Sequence, residues 1–140
     1  MGARLAKIRE RAYEIAIEYS VIDVAAEHYS VGPKTSSRAA ETFYLHGQVG
    51  MKLWENGFSA PLLIAPSTLK KWITDDGREE KPEMRAALEE MLGVKLHTDH
   101  NAVDAVGLAT MLVQFHLWER DQFAPTEYQL EKMQNWKRML

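Results

Sequence analysis

In the run DHNAVDAVGLATM, residues 99–111, Asp104 stands among Ala102, Val103, Ala105, Val106, Leu108 and Ala109, with Asn101 three residues before it. Residues three apart on a helix share a face, so the two side chains can meet one cation. Their donors are oxygens, which suit Mg2+ or Mn2+ better than Zn2+. An unpaired carboxylate on a dry face is costly and either protonates or finds a cation. The same acid also suits the start of a helix, where the dipole favours negative charge; the residues leave both readings open. Glu27 closes the apolar run VIDVAA, residues 21–26. If that run is a strand, Glu27 lies at its carboxyl end, where ligands gather in open α/β sheets.

Other polar residues carry weaker signals. His97, His100 and His28 could suggest zinc, but His97 and His100 straddle a helix cap at Asp99 and have no defined geometry. His46 and His116 fall inside helical runs and read as packing or surface residues. Lys70 and Lys81 flank a DDG loop, where compact ammonium charges can meet phosphates; lysine is equally at home on any surface. Trp54, Trp72, Trp118 and Trp136 each have apolar neighbours at helical spacing and are expected in the core.

The elements that would position these groups follow from periodicity and caps. Residues 4–19 place Leu5, Ile8, Ala12, Ile15 and Ala16 on one stripe of an amphipathic helix. Residues 21–26 suit a strand covered on both faces. The stretch YSVGPKTSS is a loop, after which Thr35 or Ser36 caps a helix over about 37–56, stopped by Gly57. Residues 61–65 read as a second buried strand, and Ser67 as the cap of a short helix. TDDGREE is a turn or solvated loop. Lys81-Pro82 opens a helix that ends at Leu92 before Gly93. Asp99 caps a long helix over about 100–120. Thr126 and Gln129 have capping-box spacing at the start of a last helix. Strands alternating with helices mean an α/β fold.

The chain has 140 residues, 46% of them apolar, and no cysteine. That is enough for a real core, and it excludes disulfide and thiolate-zinc frameworks. Neither a membrane-length apolar run nor a signal-peptide core is present, so no membrane partner is expected and the cytoplasm is the expected compartment. The net charge of −3 argues against a general polyanion binder. Arg4, Lys7, Arg9 and Arg11 still make a local basic surface.

Together, three segments resemble RuvC-type Holliday-junction resolvases. VIDVAAEHYSVGPKTSSRAAETFYLHGQVGMKLWENG resembles their strand ending in a catalytic Glu, followed by a small-residue helix with a central Gly. APSTLKKWITDDGREEKPEM resembles their Pro, Lys, Gly-containing loop and Lys before a helix. DHNAVDAVGLA resembles their closing Asp-Ala motif. The match runs from about residue 4 to 112 in the right order; each motif is moderately specific, and the ordered set is more so.

The resemblance implies a ribonuclease H-like fold and a metal-dependent endonuclease acting on branched DNA through Mg2+ or Mn2+. Glu27 falls on the second carboxylate, Asp104 on the last, and Asn101 on a position held by Asp or His in some relatives, which makes it a weaker ligand. Lys70 and Lys81 fall on lysines near the DNA backbone, and Lys81 is the one expected to aid catalysis. Lys34 and Arg38 are further expected DNA contacts. Asp23 is not carried over. A homodimer is expected, because a four-way junction needs two symmetrical cuts.

The chain also departs from that pattern. The family opens with a strand bearing an Asp and a hairpin, and this sequence opens at what resembles the first helix. The resemblance therefore implies a helix-rich fold lacking the first three strands and the first catalytic Asp, with another chain or segment to complete the sheet. The expected organisation is a partial resolvase domain over 1–122 and a helical tail over 123–140. Two other functions stay open at this point: a catalytically incomplete DNA-binding or assembly module, and a small α/β protein whose acids are only caps.

Overall fold

A computed structural model of the chain describes residues 2–28, 37–76 and 81–139, with the backbone alone at 37–39 and 81. The chain divides into two compact units, with the boundary between Leu62 and Leu63.

In the first unit, α1 (Gly2–Glu18) and α2 (Ser37–Glu55) pack against each other. Their polar contacts are specific. Lys52 pairs with Glu10 at 3.1 Å and lies 4.9 Å from the centroid of the Tyr13 ring. The Arg9 guanidinium donates to Gln48 Oε1 at 3.1 Å, and Tyr13 meets Phe58 edge-on. Gly57 ends α2 as its position requires: its φ is +87°, and the Phe58 N–H closes onto the Leu53 carbonyl at 3.0 Å. The expected cap at Thr35 or Ser36 lies outside the described residues.

Two short strands, β1 (Ala25–Glu27) and β2 (Leu62–Ile64), form a small parallel sheet, and the Leu62 N–H donates to the Val24 carbonyl at 2.8 Å. Both strands are shorter than the runs 21–26 and 61–65 suggest. The expectation of strands covered on both faces is also not met: β1 is only half-buried, and Leu63 is 52% exposed. Each strand has one partner among the described residues, so the sheet has too little area to be sandwiched.

The same shortage of cover explains a second difference. Ile8 and Ile15, placed on the buried stripe of α1 by periodicity, are exposed, and Trp54 is 63% exposed rather than in a core. Among the described apolar residues of this unit, only Ala16, Leu53 and Leu62 are fully buried. Two helices and a strand pair cover one stripe of each helix and no more.

The second unit is all helical beyond β2: α3 (Pro66–Thr74), α4 (Lys81–Leu92), α5 (His100–Glu119) and α6 (Glu127–Met139). Ser67 does not cap α3. Ala65 is the N-cap residue, with no side-chain bond, and Pro66 follows it at the first position. Proline has no N–H to satisfy there and arrives with helical φ, so a polar cap is less needed. The capping box of α6 forms as its spacing predicts, with Thr126 N–H to Gln129 Oε1 at 3.0 Å and Gln129 N–H to Thr126 Oγ1 at 3.2 Å.

The core of this unit gathers Leu69, Trp72, Met84, Leu88, Val103, Met111, Phe115, Met133 and Trp136. Trp72 and Trp136 stack at 5.1 Å between ring centroids. The Trp72 indole N–H donates to Gln114 Oε1 at 2.6 Å, and Gln129 Nε2 donates to the Trp72 carbonyl at 3.3 Å. The tail residues Met133 and Trp136 thus pack inside this unit.

Helix α5 approaches α3 closely at Gly107, where an added Cβ would stand 2.8 Å from Leu69 Cδ1 and 3.6 Å from Leu88 Cδ1. Leu69 and Leu88 are themselves buried and have little room to yield. Gly107→Val is expected to lower stability by about 1–3 kcal/mol through overpacking, measured as a drop in the urea midpoint at constant m-value. An unchanged midpoint would show that the contact can relax.

Candidate functional site

Glu27 ends β1 in the first unit and is half-buried. Asn101 and Asp104 lie in the second unit, on the first turns of α5; Asn101 is exposed and Asp104 half-buried. The three-residue spacing does put the amide and the carboxylate on one helix, a turn apart. Asp104 is the fifth residue of α5, beyond the first turn, where the helix dipole acts most strongly.

The start of α5 is fixed from several sides. Asp99 caps it, accepting from the Ala102 N–H at 2.9 Å. The segment before it is held by two side chains of α4, one turn apart. The Arg85 guanidinium donates to the carbonyl oxygens of Leu96, at 3.1 Å, and Thr98. The Glu89 carboxylate accepts from the Leu96 N–H at 2.9 Å and from Lys95 Nζ at 3.1 Å. These bonds, the Leu96 amide first and Lys95 second, hold the Glu89 carboxyl below its ordinary value. Arg85 and Glu89 are therefore positioning residues for the helix that bears Asn101 and Asp104. Sequence reading missed them: their four-residue spacing suggests a mutual ion pair, whereas each spends its bonds on a loop that follows later in the chain.

The histidines do not gather. His28, His97 and His100 are all exposed. His46 is half-buried on α2, and burial holds its imidazole below the usual range. Among the described residues, no cluster of three or more His, Asp or Glu side chains is placed to hold a metal. A set of Glu27, Asp104 and Asn101 has only two acids and an amide, so it differs from such a cluster in kind. Its donors are all hard oxygens and fit Mg2+ or Mn2+ chemically.

Lys70 is half-buried on α3, four residues before the helix ends at Thr74. Lys81 opens α4, and Arg38 lies in the first turn of α2; their side chains, like all of Lys34, lie outside the described residues. Two of the four cations of α1 are paired within the helix: Arg9 with Glu10 at 2.8 Å and Arg11 with Glu14 at 3.1 Å. Among the described residues, no helix is long and apolar enough to cross a membrane.

The fold is a helix-rich α/β arrangement of the RuvC type. A structure of Thermus thermophilus RuvC superposes with a TM-score of 0.64 at 19% identity, covering 89% of this chain and 73% of that one. T. thermophilus RuvC in complex with a Holliday junction substrate matches with a TM-score of 0.67 at 21% identity over the same shares. No protein-family model matches the chain, and no curated protein matches it significantly.

The bonds around Glu89 set a pH dependence. A carboxyl whose folded value lies below 4.5 stabilises the fold above that pH, and the contribution is lost as pH falls through the lowered value. Wild type is expected to be more stable than Glu89→Gln at neutral pH, with the gap in urea midpoint closing below 4.5. A gap that stays constant into strong acid would overturn the clamp. Asp99→Ala is expected to cost about 1 kcal/mol through loss of the cap.

Proposed function

We propose that this chain carries the greater part of a RuvC-type resolvase, a metal-dependent endonuclease acting on branched DNA. The observation that supports it most is the RuvC-like fold, in which β1 ends in Glu27 and α5 begins with Asn101 and Asp104. In this reading Glu27, Asp104 and, more weakly, Asn101 hold Mg2+ or Mn2+. The bound metal would activate water and stabilise the leaving oxygen as negative charge builds on the phosphate. Lys81 adds positive charge at the scissile phosphate, while Lys34, Arg38 and Lys70 hold the DNA backbone. In this reading a partner chain or segment supplies further strands and a further carboxylate. A homodimer presents two sites to the two symmetrical strands of a four-way junction, and the protein works in the cytoplasm.

A second reading has a specific observation in its favour. The proposed ligand set holds two carboxylates and one amide, a weaker set than clustered carboxylates, which suits a catalytically incomplete DNA-binding or assembly module. The chain alone is accordingly expected to bind metal weakly and to cleave little.

Isothermal titration with Mn2+ and binding to labelled DNA test these points. Mn2+ affinity is expected to be weaker than micromolar and to fall by about tenfold or more in both Glu27→Gln and Asp104→Asn. A four-way junction is expected to bind more tightly than a linear duplex of equal length. Equal binding of the two DNAs, or metal binding indifferent to both substitutions, would overturn the resolvase reading. Submicromolar Mn2+ binding would overturn the incomplete ligand set. Junction cleavage in Mg2+, with the upstream-encoded segment added, separates an enzyme from a binding module.

A further inference from the structure

Helices α3 and α6 bring together two cations that none of the assignments above uses. Lys71 Nζ lies 4.5 Å from the centroid of the Tyr128 ring, and Lys132 Nζ lies 5.4 Å from the same centroid. Lys71 is exposed on α3, whereas Tyr128 and Lys132 stand one turn apart on α6, both half-buried. One ring thus collects ammonium groups from two helices. Each is attracted to the aromatic face, while the two like charges repel each other. Both ammonium groups lie within 5.4 Å of one ring centroid, so one polyanion can meet the two.

The carboxylate recorded on this pair is that of Glu131, 3.6 Å from Lys132 on a side chain 66% exposed. An exposed ion pair of this kind contributes little and yields readily to a competitor. No acid among the described residues pairs with Lys71. Compact ammonium groups suit phosphate oxygens. They are poorly suited to a small carboxylate ligand, which needs a concave site to be held. With its ring engaged by cations, Tyr128 serves as a platform for the lysines rather than as a stacking surface for bases.

We propose that Lys71 and Lys132, gathered by Tyr128, form a phosphodiester-binding patch that takes a stretch of DNA backbone without regard to sequence. The choice of DNA as the polyanion rests on the resolvase reading; the patch itself rests on the geometry of α3 and α6. It enlarges the DNA contact surface to α6, a helix that lies beyond the three motifs of the sequence.

The test uses the full chain, a fluorescein-labelled linear duplex and a labelled four-way junction, with affinity read by anisotropy across a salt series. Two phosphate contacts contribute a slope of about 1.8 in log affinity against log salt. Lys71→Gln/Lys132→Gln is therefore expected to lower that slope by about 2 and to weaken binding to both DNAs by about tenfold at low salt. Glu131→Gln removes the competing carboxylate and is expected to tighten binding to both. An unchanged thermal melt confirms that the double variant is folded. A double variant with wild-type slope and affinity overturns the patch, as does failure of the wild type to bind either DNA. If junction and duplex bind equally but the double variant still loses slope, the resolvase reading fails and the patch stands. If junction preference is present and the slope does not change, the patch alone fails.

Discussion

Trp72 is the residue on which the second unit depends. Its ring stacks on Trp136 of α6, its indole N–H reaches Gln114 of α5, and its carbonyl is bonded by Gln129 of α6. A buried tryptophan contributes a large apolar area together with one polar group that must find a partner. Here both demands are met by neighbouring helices, which ties α3 to α5 and α6 at once. Gln129 is doubly committed, since its side chain also closes the capping box. The docking of α6, the shape of the core and the nearness of Lys71 to Tyr128 all follow from this one arrangement.

The two units differ in how far they satisfy their own apolar residues. The second encloses a core of large side chains, and the first leaves Phe43, Tyr44, Met51 and Trp54 of α2 exposed. The contrast lies in the number of layers. Four helices can enclose a core, whereas a helix pair with one three-residue strand has a single internal surface. An apolar helix face left in water is a place where further protein surface can add, consistent with a proposed assembly in which additional strands or a second copy are present.

Much of the fold was legible in the sequence because it is written in local chemistry. The cap at Asp99, the capping box at Thr126 and Gln129, the stop at Gly57 and the bounds of α4 and α5 depend on a few adjacent residues, and they form as read. Burial was less legible. Ile15 and Trp54 sit at helical spacing among apolar residues, yet whether they are covered depends on elements distant in the chain. Ser67 misled because a polar residue near a helix start is a common cap, and Pro66 had already reduced the need for one. Of the candidate site, the sequence gives the types and spacing of Asn101 and Asp104 directly. The support from Arg85 and Glu89 was hidden, since a contact between a helix side chain and the backbone of a later loop leaves no periodic trace.

That support has a consequence for how this part of the chain can vary. Between Gly93 and Asp99 the backbone has no regular structure of its own, yet its polar groups at Leu96 and Thr98 are taken up by side chains of α4. The instructions for the loop's shape are therefore stored on the preceding helix. The bonds to Arg85 and Glu89 use only main-chain atoms of Leu96 and Thr98, so they do not depend on which side chains stand there. An inserted or deleted residue is different: it would slide those atoms out of reach of Arg85 and Glu89 together, and release the entry to α5 while leaving every residue of that helix intact.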